Sequence, residues 1–274
     1  MLLPLCICTE SCGQKGSRNV AFFKDTPAYE LAKAVGSGNL EKIESLVKAD
    51  STLLEVTEVV YGSNVLILCI DVEQFESFKK LLELGADPNF INPYTKYSVL
   101  IDAIKLFGNS YDFYLDNRYA KLLLEYGAGP DYAVEYDFTN EKTRYVVAAS
   151  PLMRASALDL DLVKTLIQYG ADPFRKLGER ERSLFAAALL APNFDIIYYL
   201  IDSLKMDVHQ PMSIRSKDSI FIQDFVVNKK MFQIIRAEEG SVKDTVGFVE
   251  RWELKRYLES KGVDFVNYKY KRLK

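Results

Sequence analysis

The chain has 274 residues, 49% of them hydrophobic and 27% charged, which excludes wholesale disorder and is ample for a buried core. Lys+Arg minus Asp+Glu is 35 − 38 = −3, so no global positive field points to nucleic acid, and none is expected as a partner. His209 is the single histidine, which excludes a His-rich metal site and any mechanism needing two imidazoles.

Residues 1–25 read as a signal remnant or a disordered tether. Cys6, Cys8 and Cys12 lie here, while Cys69 stands alone in an apolar run and reads as a small buried hydrophobe. A disulfide scaffold would spread its cysteines through the chain. Three thiolates at C-x-C-x3-C spacing, with no fourth ligand nearby, are not a standard zinc pattern. Met1-Leu-Leu-Pro-Leu-Cys-Ile-Cys8 is apolar, lacks a basic flank and is too short to span a bilayer. Ser11-Cys12-Gly13 resembles a bacterial lipoprotein maturation site, in which a small residue precedes a cysteine that is cleaved and acylated. Glu10 departs from that pattern. Two readings stand: Cys12 is acylated and holds the chain at a membrane facing the periplasm, or the segment is a cysteine-bearing tail of a cytoplasmic protein. Gly16 to Lys24 has no helical or strand period and extends the tether.

Thr26-Pro27 predicts a helix start, with a hydroxyl cap and proline at the first helical position. From there one pattern returns: a short apolar helix, a break, a second apolar helix ending in two aliphatics, and a turn. Leu81-Leu-Glu-Leu-Gly-Ala-Asp-Pro-Asn89 recurs as Leu123-Leu-Glu-Tyr-Gly-Ala-Gly-Pro-Asp131 and as Leu166-Ile-Gln-Tyr-Gly-Ala-Asp-Pro-Phe174. Weaker copies end at Asp50, Asp207 and Phe265. Counted from the first aliphatic, the separations are 35, 42, 43, 34 and 58 residues, the self-similarity of a solenoid. Gly85, Gly127 and Gly170 stand where a helix ends in a left-handed residue. Asp159 and Asp161 read as cap and dipole partners of the helix they precede rather than as a catalytic pair.

On these residues the chain resembles the ankyrin repeat family over 28–211, and atypically to about 265. The family's Thr-Pro-Leu-His-x-Ala start appears as Asn64-Val-Leu-Ile-Leu-Cys69, Ser98-Val-Leu-Ile-Asp-Ala103 and Ser150-Pro-Leu-Met-Arg-Ala155, with Ile or Met in place of the histidine. The resemblance implies an all-α, ankyrin-type helical-hairpin solenoid of about five to six repeats occupying 26–211. Residues 212–274 are expected to form a degenerate repeat and a capping helix. Ser219–Val227 and Met231–Ile235 read as its helix pair, and Val242–Ser260, with Trp252, as the cap.

Two units exceed the family's period of about 33 residues. One carries an insertion at Gly108–Asn117, the other at Tyr132–Tyr145, which alternates in bulk and reads as a β-hairpin. Residues 94–145 hold 12 of the 34 aromatics, more than their own core can use. Rigid aromatic rings on projecting loops favour protein interfaces, and the alternative is that they pack over their own repeats. The expected contact residues are Asn92, Tyr94, Lys96, Arg175 and Lys176 in the turns, Tyr111, Phe113 and Tyr114 in the first insertion, and Tyr132, Tyr136, Phe138 and Tyr145 in the second.

No Gly-rich phosphate loop, nucleophile elbow or metal cluster is legible, so neither a cofactor nor catalysis is expected. The resemblance implies a monomeric protein-interaction module with a protein partner, membrane-tethered if Cys12 is acylated. The alternative is an accessory or catalytic domain of an enzyme, with its site in 212–274. The tail Tyr268–Lys274 has four basic residues among seven and reads either as a solvated terminus or as a contact for anionic phosphate.

Overall fold

The structure, a computed structural model, describes residues 19–109, 112–140, 143–178, 181–190, 194–215, 218–227 and 246–269. Cys6, Cys8, Cys12, Tyr111 and Met231–Ile235 lie outside the described residues. Five helical hairpins follow one another: α1 (Tyr29–Gly36) with α2 (Leu40–Ala49), α3 (Val65–Asp71) with α4 (Phe75–Glu83), α5 (Val99–Ala103) with α6 (Arg118–Glu125), α7 (Pro151–Ala155) with α8 (Leu160–Gln168), and α9 (Leu184–Leu190) with α10 (Phe194–Tyr198). The first helices pack in one row, α1 on α3 on α5 on α7 on α9. The second helices make the other row, in which α2 packs on α4, α4 on α6 and α8 on α10. This is the ankyrin-type stack of helical hairpins.

The starts of the first helices explain why such short segments are helical. Asn64, Ser98, Ser150 and Ser183 stand at the same position in successive repeats. Each accepts from the amide three residues on: Ile67 at 3.1 Å, Ile101 at 3.3 Å, Met153 at 3.2 Å and Ala186 at 3.2 Å. One orphan donor per helix is thereby satisfied. Tertiary burial supplies the rest, since helices of five to eight residues do not persist alone. Val65 to Ile70 are all buried, six in a row, because α3 lies between neighbours on several sides. Ile67, Ile101, Met153 and Ala186 fill the position of the family histidine and are 5%, 0%, 9% and 8% exposed. Apolar packing therefore stands where that side chain's hydrogen bonds would be. At the first repeat the expected start shifts: α1 begins at Tyr29, and the Thr26 hydroxyl donates to Phe23 O at 2.8 Å. Phe23 is itself 1% exposed, so the packed part of the chain begins before residue 26.

The second helices of the second, third and fourth repeats end alike, as does the helix that closes the described chain. Ala86, Ala128, Ala171 and Val263 donate to Leu81, Leu123, Leu166 and Leu258 O, five residues back, across a glycine with positive φ. The next residue but one then turns the chain. Asp87, Asp172, Asp207 and Asp264 accept from the amides of Asn89, Phe174, His209 and Val266 at 2.8–2.9 Å. The fifth repeat differs by one residue. α10 runs into a π-helical turn, Tyr199–Ser203, where Leu204 N donates to Tyr199 O. The left-handed position moves one place along and falls on Lys205, φ 57°.

Both insertions are antiparallel ribbons. β1 (Leu106–Asn109) pairs with β2 (Asp112–Leu115) inside the third repeat, and β3 (Val134–Asn140) pairs with β4 (Thr143–Ala149) between the third and fourth. The expected hairpin at Tyr132–Tyr145 is thus present, and it runs on to Ala149. A third ribbon, β5 (Ser213–Arg215) with β6 (Asp218–Ile220), opens the C-terminal part. It corrects the expected helix over Ser219–Val227: Ser219 and Ile220 are strand, and the helix α11 spans Ile222–Val227. Asp224 explains the later start, since its carboxylate accepts from Phe221 N at 3.0 Å and caps the helix there. The last helix, α12 (Val246–Ser260), buries Leu254 and Leu258. It meets α10 through the edge-on rings of Tyr198 and Tyr257, 4.7 Å apart, and the Lys261–Asp202 ion pair. Trp252 lies on this helix, with its side chain outside the described set. Among the described residues no helix is long and apolar enough to cross a membrane.

Candidate functional site

The loop between α2 and α3 is built around one buried carboxylate. Glu58 is 2% exposed, and its oxygens accept from the amides of Val60 at 2.6 Å, Tyr61 at 2.9 Å and Ser63 at 2.9 Å. Its own amide donates to Ser63 O at 3.0 Å. Such a nest satisfies a buried charge and holds the loop in one shape. Gly62, φ 71°, closes the turn against the next loop, where a Cβ would meet Asn92 Oδ1 and Pro93 Cγ at 3.0 Å. The residues so held face solvent: Val59 is 74%, Val60 51% and Tyr61 54% exposed.

The next loop locks onto it. Asn92, 3% exposed, donates through Nδ2 to Tyr61 O at 3.0 Å. Its Oδ1 accepts from Tyr94 N at 2.8 Å and Thr95 N at 3.0 Å. Tyr94 is 58% exposed, and its hydroxyl donates to Val59 O at 3.2 Å. Lys96, in the left-handed region at φ 59°, is exposed, and its carbonyl accepts from the Tyr132 hydroxyl at 2.8 Å. Arg154 lies over the ring of Tyr97 at 4.8 Å. The result is a ridge of interlocked tips carrying Val59, Val60, Tyr61 and Tyr94 on its crest.

Further along, the turns are tied by equivalent bonds. Asn89 Oδ1 accepts from Gly129 N at 2.8 Å, and Asp131 Oδ1 from Asp172 N at 3.2 Å. Arg175 donates to Asp131 O at 2.6 Å. The series stops at Phe174, which takes the same place in the next repeat and is 58% exposed. Lys176 faces Glu181 at 3.6 Å.

The first-helix row carries paired charges. Lys105 meets Asp71 at 2.6 Å. Asp102 and Arg154 hold equivalent places on α5 and α7. Although Asp102 is only half-buried as a residue, burial of its carboxyl raises the pKa to about 6 against the opposing pull of Arg154 and Lys105. Cys69 is fully buried and burial pushes its thiol up, so it is an inert core group. Asp159 caps α8 through Leu162 N at 2.6 Å, and Asp161 pairs with Lys121 at 2.7 Å, which accounts for both carboxylates without chemistry.

The residues singled out from sequence are therefore spread over several places. Tyr94, Lys96 and Tyr132 share the tip ridge, with Arg175 two turns on. Tyr114 lies at the other end of the hairpins, where its hydroxyl donates to Glu73 at 2.8 Å in the α3–α4 turn. Phe113 is on β2, Tyr136 and Phe138 on β3, and Tyr145 on β4, with their side chains outside the described set. Asn92, expected as a contact, is buried and joins two loops instead. Val59, Val60 and Tyr61 were not singled out. Their one signal is an apolar run, Val-Val-Tyr, standing outside any helix period just before Gly62.

No family model matches the chain, and no curated protein matches it. Among solved structures, the ankyrin repeat domain of human ASB11 is similar at 14% sequence identity, with a TM-score of 0.49, covering 80% of this chain and 86% of that one.

Proposed function

We propose that the chain is a non-catalytic protein-recognition module that holds a protein partner across the ridge of loop tips. The observation that carries this reading is the exposure of Val59, Val60, Tyr61 and Tyr94 on backbone fixed by Glu58 and Asn92. Apolar groups held rigid in water favour contact, because little entropy remains to be lost when a partner covers them. Tyr132, at the foot of the second insertion, and Arg175 extend the surface along the stack.

Membrane tethering through Cys12 belongs to the same proposal. Val20 packs against the core, and the seven residues that separate it from Cys12 span at most roughly 23 Å. Intact mass of the protein from its native membrane fraction tests the acylation. Recognition is tested by purifying the native complex from cells that express either the wild type or Val60→Ser/Tyr94→Ser. A partner at stoichiometric ratio is expected with the wild type, and its loss with the double variant at unchanged Tm. Equal recovery with both removes the ridge from the reading.

A further inference from the structure

The ribbon β3–β4 has two unlike edges. Its register runs from Val134 opposite Ala149 to Asn140 opposite Thr143, and among the described residues no third strand joins it. With two residues between Asn140 and Thr143, that closing pair exchanges both backbone hydrogen bonds, and so does every second pair beyond it. Glu135, Asp137 and Thr139 on β3, and Arg144, Val146 and Ala148 on β4, therefore turn their N–H and C=O groups outward. Such a row is a template for a further strand, and a ribbon of two strands is marginal without one.

The edges differ in what guards them. Pairing β3 with its own copy about a two-fold axis at Asp137 sets two carboxylates directly opposite, which disfavours it. The same operation on β4, centred on Val146, sets Val146 against Val146 and Arg144 against Ala148. It also puts Tyr145 and Val147, an aromatic and a β-branched residue, at opposed register positions, and it pairs no like charges. The β4 sequence Thr-Arg-Tyr-Val-Val-Ala-Ala has no proline, no glycine and a single charge, so nothing in it blocks pairing.

We infer that the β4 edge pairs antiparallel with the β4 edge of a second copy of this chain, joining two ribbons into a four-stranded sheet about a two-fold axis at Val146. One strand edge buries well under the ~1,200 Å² of a stable complex. The dimer is therefore weak and concentration-dependent, and the monomer expected from sequence is the species at low concentration. The inference is independent of recognition at the tips.

Sedimentation velocity of the full chain, from micromolar to near-millimolar concentration, tests it. The wild type moves from monomer toward dimer as concentration rises. Val146→Pro loses no hydrogen bond inside the ribbon and blocks the outer edge, raising the dimer Kd about tenfold or more. Val146→Lys, which keeps the amide but sets two ammonium groups at the axis, does the same and covers the case of a proline variant that fails to fold. Val146→Thr and Asp137→Pro, the latter on the opposite edge, leave the dimer unchanged. A wild type that stays monomeric throughout, a dimer that survives both Val146→Pro and Val146→Lys, or one that Asp137→Pro dissolves equally, overturns the inference.

Discussion

Asn92 reaches back 31 residues to Tyr61, donating from Nδ2 to its carbonyl at 3.0 Å while Oδ1 receives two amides of its own loop. This one side chain shapes the second tip and fastens it to the first. Asn92→Ala strands three backbone groups, so a loss of about 1–3 kcal/mol in urea unfolding is expected. Hydrogen exchange should rise at Tyr94 and Thr95, whose amides lose their acceptor. Unchanged exchange there would show that the loop holds without Asn92.

Gly62 and Gly170 separate two costs of an added methyl. At Gly170, φ 103°, a Cβ meets nothing within 4 Å, so Gly170→Ala carries only the left-handed penalty of about 1–2 kcal/mol. At Gly62 the same penalty is joined by contacts at 3.0 Å with Asn92 and Pro93, and the shift would disturb the Asn92 bonds. Thermal denaturation should therefore rank Gly62→Ala below Gly170→Ala. The reverse order would mean that the tip contact is loose.

Lys205 occupies the left-handed position that glycine fills in the second, third and fourth repeats. Lys205→Gly should raise stability by about 0.5–1 kcal/mol, the backbone relief exceeding the extra entropy of glycine in the unfolded chain. Chemical denaturation measures it, and a loss would show that the lysine stem makes packing contacts worth more than the strain.

The raised Asp102 pKa makes stability depend on pH. The folded chain keeps this proton where the unfolded chain has released it, so the folded state binds more protons between 3.8 and about 6. Unfolding free energy therefore falls as pH rises through that window. Asp102→Asn removes this contribution, and its stability curve should be flatter there than that of the wild type. Parallel curves would place the Asp102 carboxyl in water.

The stack was legible because its punctuation is local. Gly85, Gly127 and Gly170 follow paired aliphatics at one offset, and Asp-Pro or Gly-Pro follows them. Those few residues set both the helix end and the turn. The fifth repeat was faint because the π turn displaces the same geometry by one place onto Lys205, which no composition rule marks. Most of the candidate surface was hidden for a different reason. Glu58 and Asn92 look like ordinary polar loop residues, and what makes them structural is burial by a neighbouring repeat. The exposure of Val59 and Val60 follows from that burial rather than from their own chemistry.

Recognition as proposed requires the crest of the tips to receive a protein. A photo-crosslinking phenylalanine derivative placed at Val60, and separately at Lys79 on the second-helix row, tests it most directly in cells. One discrete covalent adduct of defined mass is expected from position 60 and none from position 79. The absence of any adduct at position 60, or the same set of adducts from both positions, would contradict it.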